Sequence, residues 1–260
     1  MNDLQTICQA VLFDAVGTLF EPAEPVGQLY ARYAAAHGWF QRPGSMPCGG
    51  GSEQARAQLA EALGRAFRGA LAARPWPVYR TDDREGNEQV DRLWWRELVV
   101  GVIEQVKPGR PAGFDVDAYF DAVFAAYGEA AAWRLYPDVL PALTTLRARG
   151  LRIAIVSNFD ARLLPVCHGL GLAERVDVIV HSSAVGAAKP APQVFRHALD
   201  LLGAEPQRAV HVGDSLEQDV GGARAAGVQP VYLCRRPGTA SLPSVPTVST
   251  LQELVGELTV

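Results

Sequence analysis

Short apolar runs recur through the second half of the chain, each followed by polar residues and then by a stretch of helical periodicity. Residues 152–157 (RIAIVS), 176–181 (VDVIVH), 209–212 (AVHV) and 231–234 predict strands. Between and after them, 138–149, 162–168, 192–202, 216–226 and 251–258 predict helices. The pattern is most open in the helix at 192–202, where Val194, Phe195, Ala198, Leu199 and Leu202 share one face and Gly203 stops the run. Near-continuous apolar strands alternating with helices imply a parallel sheet covered on both faces.

One more strand of this kind lies at 10–13 (AVLF), and the chain does not rejoin the alternation until about residue 137. A βαβ crossover needs only about 30 residues, so most of this stretch is surplus to it. The surplus carries four amphipathic segments. These are 24–38 with Val26, Leu29, Tyr30 and Tyr33, and 52–73 with Leu59, Leu63, Phe67 and Leu71. They continue with 87–106 (Val90, Leu93, Trp94, Leu98, Val102) and 115–132 (Val116, Tyr119, Phe120, Val123, Tyr127). Such faces bury one another as a small helical bundle, and no strand is expected among them. The Gly- and Pro-rich run at 43–52 connects two of these helices, and 235–246 reads as a loop without a chemical signature.

Composition narrows the picture. A chain of 260 residues, 48% hydrophobic and 20% charged, has the make-up of a globular protein with a sizeable core. With 24 Lys+Arg against 28 Asp+Glu, the net charge of −4 disfavours non-specific nucleic-acid binding. Only two of the basic residues are lysines, Lys107 and Lys189. Cys8, Cys48, Cys167 and Cys234 show neither a disulfide framework nor zinc-ligand spacing. The N-terminus lacks a basic leader, Asp14 breaks its apolar run, and no stretch approaches eighteen apolar residues. A cytoplasmic protein without membrane association is expected.

In an open parallel sheet, ligands sit outside the carboxyl ends of the strands, and four polar clusters fall there. They are Asp14-Ala-Val-Gly-Thr-Leu, Ser157-Asn158, Lys189-Pro190, and Gly213-Asp214-Ser215 with Asp219 beyond. Singly, each is an ordinary feature: a strand-ending turn, a helix N-cap, a solvated loop lysine, a turn. Together and in this order they assemble carboxylates, a hydroxyl, an amide and a lysine on one sheet edge. Two carboxylates suit Mg²⁺, an aspartate beside it can attack phosphorus, and a lysine and a hydroxyl can hold phosphate oxygens.

At these residues the sequence resembles the haloacid dehalogenase (HAD) superfamily, over nearly the whole chain. The motifs stand here as VLFDAVGTL, IVSNFD, AAKPAPQVF and HVGDSLEQDVGGARAAG, and the SNFD run, the Trp94-Trp95 pair and the YPDV segment are most similar to the branch of haloacid dehalogenase-like hydrolase domain-containing protein 3. The resemblance implies an α/β, Rossmann-like parallel-sheet core from 1–19 and 136–260, with an inserted helical cap domain at 20–135. It implies Asp14 as nucleophile and Lys189 as its catalytic partner. Ser157, Asn158 and Lys189 would form a phosphate cradle, with Thr18 among the substrate-site residues and supporting the nucleophile's loop. Mg²⁺ would be held by Asp14, the Val16 carbonyl and Asp214, with Asp219 supporting, and the partner would be a small phosphorylated molecule.

One position departs from the phosphatase pattern. Phosphatases of the superfamily carry a second aspartate two residues after the nucleophile, to protonate the leaving group and activate water. Here that position is Val16. Losing a general acid/base costs a factor of roughly 10²–10⁴ in rate. Three readings follow: a Mg²⁺-dependent phosphatase-like hydrolase with weakened acid/base chemistry, a metal-free 2-haloacid dehalogenase, and a weakly active or inactive binding protein. Asp160 is a candidate replacement acid, and Asp214 argues against the metal-free reaction, which does not require it. Trp94 and Trp95 read as packing of the inserted bundle, and His211 as a core residue.

Overall fold

The computed structural model describes residues 8–40, 51–80, 83–106, 111, 113–235 and 244–258. Most of the run at 43–52 with Cys48, and Lys107, lie outside these residues. The elements in chain order begin with strands β1 (Ala10–Phe13) and β2 (Phe20–Pro22), then helices α1 (Val26–Ala36), α2 (Glu53–Ala73), α3 (Arg84–Val106) and α4 (Val116–Ala126). Strand β3 (Trp133–Leu135) leads into α5 (Val139–Ala148), β4 (Arg152–Ser157), α6 (Leu163–Gly169), β5 (Val178–His181), α7 (Ser182–Val185) and α8 (Pro192–Leu202). The chain ends through β6 (Ala209–Gly213), a π-helical turn at Leu216–Gly221, α9 (Gly222–Ala226), β7 (Gln229–Leu233), β8 (Thr247–Val248) and α10 (Leu251–Glu257).

Six strands form one sheet in the order β5-β4-β1-β6-β7-β8, and every neighbouring pair in it is parallel. The central β1 has all four residues buried, because helices cover both faces. On one face Ala10, Leu12, Ala154 and Val156 pack with Val194, Phe195, Ala198, Leu199 and Leu202 of α8, and with Ala223 and Ala226 of α9. Val11, Phe13, Ile153 and Ile155 alternate with the first set, point to the other face and are equally buried. The chain runs from β4 out to β5 and then returns across the sheet to β6, so the order reverses about β1. A switch point of this kind opens a crevice at the carboxyl ends of β1, β4 and β6.

The chain divides into two compact units: 1–21 with 78–88 and 134–260, and 22–77 with 89–133. The second unit has its own core, in which Leu29, Tyr30, Leu63, Leu98, Val102, Tyr119 and Phe120 are buried together. Helix α2 is capped by the Ser52 hydroxyl, which accepts from Ala55 N–H, and α4 by the Asp115 carboxylate, which accepts from Asp117 and Ala118.

Several boundaries differ from those the pattern predicts. Strands β2 and β3 pair as a two-stranded ribbon where only helix is expected; at three residues each, they are too short for alternation to show. The segment expected to be helical over 115–132 stops at Ala126 and resumes as a 3₁₀ turn at Ala130–Ala132. Residues 78–88 group with the α/β unit, not with the helices on either side of them. Polar side chains tie them there: Tyr79 Oη lies 3.2 Å from Ser182 Oγ, and buried Asn87 donates to the Ser183 carbonyl at 3.1 Å.

Candidate active site

Asp14 is the first residue past β1, and its N–H donates to the Val212 carbonyl of β6 at 2.9 Å. The loop after it is tight. The N–H groups of Thr18, Leu19 and Phe20 all point at the Ala15 carbonyl, and Gly17 N–H donates to Phe20 O at 2.8 Å. Gly17 has φ +88°, and a Cβ there would lie 2.3 Å from Asp214 Oδ2. Only glycine meets both conditions, so this residue lets the exposed Asp214 carboxylate close on the Asp14 loop.

Lys189 is buried, and its ammonium donates to Asp14 Oδ1 at 2.5 Å and to Asp219 Oδ1 at 2.6 Å. Asp219 reaches this position through the π-helical turn after β6. Its Oδ2 accepts from Ser215 N–H at 2.9 Å, and its Oδ1 also meets His211 Nε2 at 3.0 Å. Gly213 makes room, since a Cβ there would come within 2.1 Å of Asp219 Cγ. His211 is buried in β6 with its ring edge-on to Phe195.

The electrostatics follow from burial and charge. Burial pushes the Asp14 carboxyl up, Lys189 pulls it back, and Asp219 and Asp214 push it up again, leaving it at about 6. Burial alone would also raise Asp219, but Lys189 and His211 overcome it and hold this carboxylate well below the usual range. Lys189 would lose its charge through burial, yet the two aspartates hold its pKa above the usual lysine value.

The structure brings Asp14, Lys189, Asp214 and Asp219 together. Oxygen atoms of Asp14, Asp214 and Asp219 lie within 4.8 Å of one another, a hard, all-oxygen donor set of the kind Mg²⁺ takes. Within it Asp219 is already engaged by Lys189, His211 and Ser215, which makes it a support for the lysine. Asp14 and Asp214 are the other two carboxylates of the set.

Three expected substrate residues have different placements. Asn158 Oδ1 accepts from Lys189 N–H at 2.6 Å, and its Nδ2 donates to the Lys189 carbonyl at 2.9 Å and to Gln218 Oε1 at 3.2 Å. One amide hydrogen therefore holds the lysine segment, and the other goes to Gln218 in the turn after β6. Thr18 is fully buried, with its hydroxyl enclosed beneath the loop. Ser157 ends β4, in register with His181. Asp160, the candidate acid, is clamped by Arg162, whose Nε donates to Oδ1 at 2.8 Å and whose Nη2 donates to Oδ2 at 2.6 Å. Both of its carboxylate oxygens are engaged by this charged fork. Sequence reasoning missed the part of His211, read as a plain core residue, and that of Gln218. The HVGDS run held the only signal for the former, a polar residue inside a buried strand.

Fold and site together define an α/β protein with an aspartate, buried beside a lysine, at the switch point of a parallel sheet. The chain belongs to the haloacid dehalogenase-like hydrolase family, whose model matches residues 8–227. It is 33% identical to haloacid dehalogenase-like hydrolase domain-containing protein 3 of Bos taurus, over 83% of this chain and 78% of that one. It is 38% identical to phosphoserine phosphatase of Thermus thermophilus, over 61% of this chain and 69% of that one. Among solved structures, the HAD phosphatase from Thermococcus onnurineus superposes with a TM-score of 0.62 at 26% identity, covering 96% of this chain and 97% of that one. Among the described residues, no helix is long and apolar enough to cross a membrane.

Proposed function

We propose that this protein is a Mg²⁺-dependent, phosphatase-type hydrolase acting on a small phosphorylated metabolite through a covalent intermediate on Asp14. Its acid/base chemistry is weakened at Val16, and the unit of 22–77 and 89–133 serves as its cap. The observation that carries this reading is the lysine shared between Asp14 and Asp219, with Asp214 beside them. The phosphatase among the relatives supports it.

Asp14, Asp214 and the Val16 carbonyl would hold Mg²⁺, which when bound would offset negative charge where nucleophile and phosphate meet. An Asp14 carboxylate oxygen attacks phosphorus, and the bond to the leaving oxygen breaks with its electron pair on that oxygen. Lys189 stays protonated and lies against Asp14, where it offsets charge on the phosphoryl oxygens. Ser157 at the end of β4 offers them a hydroxyl. Water then attacks the aspartyl phosphate, releasing inorganic phosphate and regenerating Asp14. The leaving oxygen needs a proton if it departs as an alkoxide, and Val16 has none to give.

A screen of phosphoesters and 2-haloacids, with and without Mg²⁺ and with Asp14→Asn as control, tests the reading. Mg²⁺-dependent phosphate release abolished in Asp14→Asn is expected. Halide release without metal would establish a dehalogenase instead. Metal binding without turnover on either panel would make this a binding protein on the family's fold.

A further inference from the structure

We infer that Arg235 is a positioning residue that sets the loop carrying Asp14. Arg235 follows β7, at the start of the stretch that reads from sequence as a loop without chemistry. Its guanidinium engages three groups at once. Nη2 donates to the Thr18 carbonyl at 2.7 Å, Nη1 donates to Asp138 Oδ2 at 3.0 Å, and Cζ stands 3.9 Å above the centre of the Tyr136 ring. The Arg235 and Asp138 side chains are only 16% and 12% exposed, so this pairing is little screened by water.

The Thr18 carbonyl is a consequential place to hold. The turn from Ala15 to Phe20 closes on itself through backbone bonds, and from outside it is met by Tyr136 N–H, which donates to Leu19 O at 3.1 Å, and by Arg235 on Thr18. Gly17, packed on Asp214, lies between Asp14 and this anchor. Moving the anchor therefore tilts the segment that carries both the nucleophile and Val16. A planar fork with donors on two edges and an open face suits this threefold contact, and a lysine would satisfy one part of it. The Asp138 carboxylate also accepts Leu251 N–H at 2.8 Å, so Asp138 and Arg235 in series link the first residue of α10 to the Asp14 loop. Asp138 precedes α5 but makes no side-chain cap hydrogen bond to that helix.

The inference rests on reading Asp14 as the nucleophile, and its test has one arm that does not. Arg235→Met keeps length and removes the donors. Amide hydrogen exchange should quicken in 15–20, and kcat should fall by roughly 10- to 100-fold with KM within about twofold. Arg235→Lys should fall between the two proteins. Asp138→Asn is the comparison: it should quicken exchange in 251–258 and leave 15–20 less affected. If Arg235→Met quickens exchange only in 251–258, or leaves both exchange in 15–20 and kcat unchanged, the arginine merely fastens α10 and the inference is overturned. If the wild type turns over no phosphoester but 15–20 still loosens, the proposed function fails and the positioning role stands.

Discussion

The Asn158 side chain grips the Lys189 backbone on both sides of its Cα, accepting from its N–H at 2.6 Å and donating to its carbonyl at 2.9 Å. This amide stands after β4, and by fixing the lysine backbone it fixes an ammonium wedged between two aspartates.

Removing that grip should therefore act through Lys189. Asn158→Ala is expected to lower kcat by roughly 10- to 100-fold without abolishing metal binding, because misplacing a catalytic group by about 1 Å costs on the order of 10². Lys189→Met goes further, leaving Asp14 and Asp219 buried without their counter-charge. Breaking a buried pair in this way costs roughly 3–5 kcal/mol. Urea unfolding of the two variants beside the wild type checks the ordering, and equal stability of Lys189→Met and wild type would contradict it.

Gly17→Ala should disturb the cation site more than the fold. The new Cβ would lie 2.3 Å from Asp214 Oδ2, on a backbone at φ +88°. A displaced Asp214 should weaken Mg²⁺ by about 10- to 100-fold, the range seen when groups that orient metal ligands are lost. Calorimetric titration reads this directly, with Asp214→Ala as the reference for a lost ligand. An unchanged affinity in both variants would remove Asp214 from the cation site.

Val16 sets the expected substrate preference. Aryl and acyl phosphates leave as stabilised anions, whereas sugar phosphates leave as alkoxides that need an acid. Wild-type rates should depend steeply on leaving-group pKa, and Val16→Asp should raise alkyl phosphate hydrolysis by up to roughly 10²–10⁴. Pre-steady-state kinetics on one aryl and one alkyl phosphate compare the two proteins. Equal wild-type rates on both would mean that another residue already protonates the leaving group.

His181 should make folding stability fall in mild acid. Burial lowers its pKa from 6.5, Arg84 pushes the same way, and Asp160 and Glu88 oppose them. Its Nδ1 accepts from Ala184 N–H and lies 3.0 Å from Ser183 Oγ, an arrangement suited to the neutral ring. The unfolded chain binds this proton more readily than the folded one. The stability is therefore complete above about pH 6.5 and is lost as the pH falls from there toward the depressed folded value. His181→Asn, which can keep an acceptor near Ala184, should lose less stability than the wild type between pH 7.5 and 5.5, as followed by thermal unfolding. Parallel losses in the two proteins would show that other groups carry the acid sensitivity.

Much of this molecule is legible in its sequence. The strand at 152–157 and the helix at 192–202 match their expected limits, because each carries an uninterrupted local pattern that its burial requires. The ribbon of β2 and β3 was not legible, since two three-residue strands exist only by pairing with each other. The grouping of residues 78–88 with the α/β unit is not legible either, for a related reason. Helical periodicity in α3 says nothing about whether Asn87 at its start bonds Ser183 across 96 positions of chain.

The site divides along the same line. Sequence alone determined which residues meet, because Asp14, Lys189, Asp214 and Asp219 each lie beyond a strand of one parallel sheet, and strand ends on one edge converge whatever lies between them. Only the tertiary structure decided how they are used. It turned Asn158 from a phosphate donor into the clamp on Lys189, enclosed Thr18, paired Asp160 with Arg162, and gave His211 to Asp219. The reason is physical: a residue's type and place in the chain set what it can donate or accept, whereas its partners are set by which buried groups remain to be satisfied once the sheet has closed.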